Sequence, residues 1–166
     1  MLFLELCRGR VPIMNISNIT GLESIATDLK SNGKMDVLSE LGDLLASRIQ
    51  DVSSQEITKV LVDRERLATT GVGSGVAIPH GKLSGINSIF VAFGISKTGI
   101  DFGAVDNAPV HIFVALIAPL DSSGDHLRAL AQISRLLKDP DARDRLKSAG
   151  DGKQLLKILE EEDGKS

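Results

Sequence analysis

Residues 109–119, PVHIFVALIAP, form an almost unbroken apolar run between two prolines. Its length, its β-branched and aromatic content and its turn-forming flanks predict a strand, and the shortage of polar positions requires both faces to be covered. The covering layers can be read on either side. Upstream, Met35, Leu38, Leu41, Leu44, Leu45 and Ile49 recur at the three-to-four spacing of a buried helical face. A second stripe, Ile57, Val60 and Leu61, follows Ser53 and Glu56 at capping-box spacing. Downstream, Leu127, Leu130, Ile133, Leu136 and Leu137 mark another helix; Asp139 and Pro140 open the next, and Asp151 caps a last one over GKQLLKILEEE. Further strands are expected at residues 76–78 and 88–95, and one more near 24–29. Helices, then strands, then helices in one domain-sized chain predict an α/β fold, a sheet sandwiched between helical layers.

Composition narrows the function. The 166 residues suffice for one domain with a real core, and 42% hydrophobic with 25% charged residues is ordinary for a globular chain. Five Phe with no Trp or Tyr leave no stacking platforms, and a net charge of −3 without a basic run argues against nucleic acid. The single cysteine, Cys7, favours a reducing, cytoplasmic setting. No apolar run approaches the roughly 20 residues that span a bilayer, so the domain is not expected to be membrane-embedded. Residues 1–13 are expected to be a loosely ordered leader, with Met14 an alternative start.

The chemistry is expected in TGVGSGVAIPHGKL, residues 70–83. Gly75 and Gly81 lie too far apart for a Walker A loop, and Lys82 is followed by Leu83 instead of Ser or Thr. The alternate glycines Gly71, Gly73 and Gly75 precede a strand and do not lead from a strand into a helix, so the dinucleotide fingerprint fails. Ser74, with glycine directly on both sides, is no esterase elbow. His80, His111 and His126 lack zinc spacing, and neither a metal nor a cofactor is called for. What remains is a histidine at a strand end, with Pro79 stiffening the chain before it and Gly81 leaving the imidazole uncovered. The glycine amides offer an anion-friendly hollow, and neutral imidazole is a competent nucleophile near pH 7.

With its flanks, VDRERLATTGVGSGVAIPHGKL, this segment resembles the signature of the IIA domains of the bacterial phosphoenolpyruvate-dependent phosphotransferase system, fructose/mannitol class. The wording of residues 70–83 is most similar to the nitrogen-regulatory branch, and the resemblance continues through IDFGAVDNAPVHIFVALIAPLDSSGDHLRALAQISRLLKD. It implies a type-2 EIIA domain over residues 14–163: a three-layer α/β/α sandwich whose mixed β-sheet is flanked by helices on both faces. It also implies a phosphotransferase component in which His80 accepts a phosphoryl group from an HPr- or NPr-type phosphocarrier, with Arg64 and His126 at the site. Such transfer is catalysed mainly by positioning and electrostatics. Arg64 supplies a planar cationic fork, and His126 a hydrogen bond near a helix start. Thr69, Thr70 and Ser74 are candidate hydroxyl donors to the phosphate.

Blander readings stand beside these. Lys59, Glu65 and Arg66 read as solvated charges, His111 as a core or edge residue, and the leucine stripes as core. Three functional classes compete: a regulatory phosphocarrier, a sugar-specific IIA component that passes phosphate to a transporter's IIB domain, and a binding module that has lost transfer.

Overall fold

The computed structural model describes residues 14–165; the expected leader, residues 1–13 with Cys7, lies outside them. In chain order the elements are α1 (Ile16–Ile19), β1 (Thr20–Ala26), α2 (Lys34–Ala46), α3 (Ser54–Leu67), β2 (Gly71–Gly73), β3 (Val76–Ala77), β4 (His80–Leu83), β5 (Phe90–Ile100), β6 (Val110–Pro119), α4 (Ser123–Lys138), α5 (Pro140–Ser148) and α6 (Gly152–Asp163). The sheet runs β1-β5-β6-β3-β2, with β4 also on β6. The β5–β6 and β2–β3 pairs are antiparallel, whereas β1 joins β5, and β3 and β4 join β6, in parallel. The sheet is mixed, as the resemblance implied.

β6 is the central plate. Ile112, Val114, Leu116 and Ala118 pack with the α4–α6 layer, while Phe113, Ala115 and Ile117 pack with Leu38, Leu41, Leu45, Ile57 and Leu61 of α2 and α3. Period-two alternation thus feeds two separate cores from one strand, which is why its sequence shows so little polarity. Three predicted caps are present. Ser53 accepts from the Glu56 amide at 3.1 Å, Asp139 from Asp141 at 3.0 Å and Asp151 from Gln154 at 2.8 Å.

Four expectations shift. Met35, expected on the buried face of α2, is 55% exposed, because the buried stripe of that helix starts at Val37 and Leu38. The strand expected near residues 24–29 is β1, several residues earlier; a register irregularity between Thr20 and Ile25 breaks its alternation. Leu127 is not core but 68% exposed, because the buried stripe of α4 starts one residue earlier, at His126, and runs through Ala129, Ile133, Leu136 and Leu137. Glu65 is not a solvated charge; it is buried, for reasons that belong to the site.

Candidate functional site

β3 and β4 are one line on the edge of β6. Val76 opposes Ile112 and His80 opposes Leu116, a constant offset across the break. The break falls at Ile78-Pro79, where proline has no N–H to give to the ladder. The Pro79 carbonyl still accepts from the Leu116 amide at 2.9 Å. His80 therefore opens β4; it does not close the strand before it. Gly81 serves a close approach as well as leaving the ring open: a Cβ there would run into the Val60 side chain of α3. The missing side chain lets β4 lie against the helix that carries Arg64.

The His80 ring is fixed by its Nδ1, 2.8 Å from the Ile78 carbonyl oxygen. A carbonyl only accepts, so Nδ1 carries the proton and Nε2 holds the free lone pair. The His126 ring meets His80 edge-on, with centroids 5.6 Å apart and planes at 75°. His126 is 8% exposed, and its Nε2 is buried with no hydrogen-bond partner among the described residues. Burial lowers the pKa of His80, and the Arg64 charge adds to this. Burial also lowers that of His126, followed by the charges of His80 and Lys82. Both rings are thereby kept neutral near pH 7.

Arg64 stands in the last turns of α3, partly exposed, and donates from Nη1 to the Ala68 carbonyl at 2.9 Å. The threonines are committed locally. The Thr69 hydroxyl accepts from the Gly71 amide at 3.1 Å. Thr70 gives both its amide, at 2.8 Å, and its hydroxyl, at 2.5 Å, to Glu65 Oε2, so that hydroxyl is not open to a phosphate. Ser74 lies apart: with φ of 56° it tips the β2–β3 hairpin and donates its amide to Asp106. Val76 alone is already four strand positions from His80, about 13 Å along the sheet.

Sequence reasoning missed two residues. Glu65 pairs with Lys34 at 2.7 Å through Oε1 and holds Thr70 through Oε2. Burial on its own would raise its pKa, but the Lys34 and Thr70 bonds outweigh burial and lower it. The Thr70 carbonyl in turn accepts from the Ile78 amide at 2.9 Å, so the buried carboxylate anchors the segment that orients His80. Its spacing from Ile57 and Leu61, on the buried stripe, was the signal. Lys82, two residues after His80 and on the same side of β4, reaches Ser123 Oγ at 2.9 Å in the first turn of α4. Alternation along the strand was its signal.

Among the described residues, no group of three or more His, Cys, Asp or Glu comes together to hold a metal ion, and no helix is long and apolar enough to cross a membrane. A cleft of about 490 Å³, lined by Ile16, Gln132, Leu136 and Leu159 among others, includes neither histidine.

Fold and site together define a class: a layered α/β domain that presents a neutral, oriented imidazole between cationic side chains and a second histidine. The chain belongs to the family described as "Phosphoenolpyruvate-dependent sugar phosphotransferase system, EIIA 2", whose model matches residues 18–162. It is 39% identical over 146 residues to a nitrogen regulatory protein of Bradyrhizobium diazoefficiens, covering 88% of this chain and 95% of that one. Over 151 residues it is 35% identical to a fructose-specific EIIA component of the phosphotransferase system from Haloferax volcanii, covering 90% and 97%. The crystal structure of nitrogen regulatory protein IIA-Ntr from Neisseria meningitidis superposes with a TM-score of 0.81 at 30% identity, covering 87% of this chain and 98% of that one.

Proposed function

We propose that this chain is a histidine phosphocarrier that takes a phosphoryl group on Nε2 of His80 from an HPr- or NPr-type protein and regulates partner proteins through its phosphorylation state. The observation that carries the reading is the bond from Nδ1 of His80 to the Ile78 carbonyl, which leaves Nε2 as the nucleophile on a ring that meets His126 edge-on, while Nε2 of His126 itself has no partner among the described residues. In the transfer, the Nε2 lone pair forms the new N–P bond while the donor's N–P bond breaks, and the donor imidazole leaves with that electron pair. The His80 ring becomes cationic, and its Nδ1–H bond to the carbonyl strengthens as it does. Arg64 neutralises the equatorial oxygens, and a hydrogen bond from His126 completes the cradle.

Exposed Leu67, one turn beyond Arg64 on α3, Leu120 after β6, and Leu127 beside His126 supply apolar surface for a protein donor. The nitrogen-regulatory relatives favour regulation as the output. The likeness to a fructose-specific component supports a second reading, in which phosphate passes on to a transporter's IIB domain. Either exchange belongs in the cytoplasm, where the lone Cys7 stays reduced.

The test is incubation with phosphoenolpyruvate, the system's first enzyme and its phosphocarrier. Acid-labile, base-stable label on the wild-type chain and none on His80→Ala is the expected result; label that survives in His80→Ala refutes the assignment. Rapid, sugar-dependent discharge of the label to IIB domains would favour the transport reading.

A further inference from the structure

The start of α4 carries an electrostatic anomaly. A helix N-terminus bears partial positive charge and attracts anions, yet the cation Lys82 is held there by Ser123 Oγ at 2.9 Å. No carboxylate among the described residues lies within ion-pair distance of Lys82. The one acid in the first turn, Asp125, is engaged by Arg128 at 2.8 Å. Nor does the helix cap itself with a side chain: the Ser122 hydroxyl turns away to the Pro119 carbonyl at 2.8 Å. The ammonium thus stands unneutralised at the helix start, three residues before His126, whose buried Nε2 has no hydrogen-bond partner among the described residues.

We propose that Lys82 is a further catalytic residue of the transfer: its ammonium, parked on Ser123 in the resting protein, binds the phosphoryl oxygens once the group reaches His80. The inference rests on His80 being the acceptor. Alternation along β4 puts Lys82 on the same side as His80, one residue intervening, about 7 Å along the strand. Lys82 also acts electrostatically on His126, whose ring touches that of His80. A hydroxyl is a weak partner for an ammonium compared with a dianionic phosphoryl, so the exchange of Ser123 for phosphate runs downhill. When the phosphoryl leaves, Ser123 takes the ammonium back and returns the site to its resting geometry. A carboxylate in place of Ser123 would hold the lysine too tightly for this exchange.

The test measures the transfer rate from the phosphocarrier and the second ionisation of the His80 phosphoryl, followed by 31P NMR against pH. Titratable and charged groups around that phosphoryl come from three elements: Arg64 and Glu65 of α3, His80 and Lys82 of β4, and Asp125, His126 and Arg128 of α4. Removing one cation raises the phosphoryl pKa, since the dianion loses a stabilising charge. Lys82→Met is expected to slow transfer about tenfold, less than loss of a buried donor because water screens the ammonium. The 31P titration moves to higher pH in this variant, whereas Lys82→Arg keeps both readouts near wild type. Ser123→Ala, which leaves the ammonium in place but unheld, slows transfer by less and leaves the titration where it was.

A Lys82→Met protein that transfers at the wild-type rate overturns the inference. So does one that is slow but keeps an unmoved titration, which would make the lysine merely structural. Lys82→Gln repeats the test with a polar side chain should the methionine variant not fold. A wild-type chain that takes no label at all defeats the His80 reading instead, so the two failures are distinguishable.

Discussion

His80 and His111 are held alike and surrounded differently. Each is partly buried at the edge of the pairing between β6 and a neighbouring segment, and each binds a main-chain carbonyl through Nδ1: Ile78 at 2.8 Å for His80, Ser96 at 2.9 Å for His111. Each therefore has the same tautomer, with the lone pair on Nε2. The difference lies beyond that nitrogen. Nε2 of His111 lies over Gly99, so close that a Cβ there would come within 3.0 Å of it. His80 instead faces the ring of His126, with Arg64 near enough to act on His80 and Lys82 near enough to act on His126. Orienting an imidazole is thus a common device of the sheet, and what makes one of the two a phosphoryl site is the company its second nitrogen keeps.

Removing the rings tests this contrast most severely. His80→Ala is expected to reduce phosphoryl labelling to background, and His111→Ala to leave the labelling rate within about twofold once folding is matched, because no transfer role reaches it. Loss of label in both variants would break the comparison. Glu65→Gln comes next. It strips the charge from a buried carboxylate paired with Lys34 and bonded twice by Thr70, and should cost about 3 kcal/mol in urea denaturation, tempered by the partial exposure of Lys34. Transfer should slow as well, since Thr70 steadies Ile78 and Ile78 steadies His80. An unchanged transfer rate in a destabilised Glu65→Gln protein would cut that chain of support.

Smaller effects come from a glycine near each ring, Gly81 next to His80 in the strand and Gly99 against His111. Gly81→Ala forces a methyl group into Val60 and pushes β4 off α3, an overpacking worth about 2 kcal/mol that should also slow transfer. Gly99→Ala meets Pro109 and His111 at a φ of 84°, with a similar loss of stability but no loss of transfer. The two substitutions are matched in kind and opposed in functional outcome. Measured side by side by denaturation and by labelling, equal functional losses would show that the His80 end of the sheet has no special standing.

How much of this was legible follows from which interactions are local. The caps of α3, α5 and α6 and the doubly covered β6 were readable because each depends on neighbours within a few positions or on one strand's own composition. The short strands β2 and β4 were not, since three or four residues carry no period of their own and pair only because β3 and β6 lie beside them. The histidine and its proline-glycine frame stood out as a motif, and likeness to a family drew in Arg64 and His126. Thr70 and Ser74 were plausible as hydroxyl donors by proximity in sequence alone. The fold commits one to Glu65 and carries the other to the far end of a hairpin. Glu65 was misjudged because a glutamate beside two arginines looks solvated until Lys34, thirty-one positions away, is brought to it. Leu127 was misjudged for the converse reason: His126 takes the buried place that hydrophobicity would assign to a leucine.

Acid titration gives the smallest and most general test. His80 and His126 both have pKa values lowered from the ordinary 6.5, mainly by burial. As pH falls through 6.5 the unfolded chain binds protons on these two residues while the folded chain still excludes them, so stability must decline with acidification. The decline ends once pH passes below the lowered folded values, where both states are protonated. Above 6.5 neither state holds the proton and the slope vanishes. Urea denaturation of the unphosphorylated protein between pH 7.5 and 5, ranges chosen about the ordinary histidine value of roughly 6.5, should show this slope, shallower in His80→Ala and shallower still in the double variant with His126→Ala. Transfer should follow a related curve: full rate persists somewhat below pH 6.5 and falls only as His80 itself takes up a proton on Nε2, which removes the lone pair that attacks phosphorus. A rate that instead halves at or above pH 6.5 would mean that the ring is not shielded by its neighbours, and the distinction drawn between the two ends of the sheet would lose its electrostatic basis.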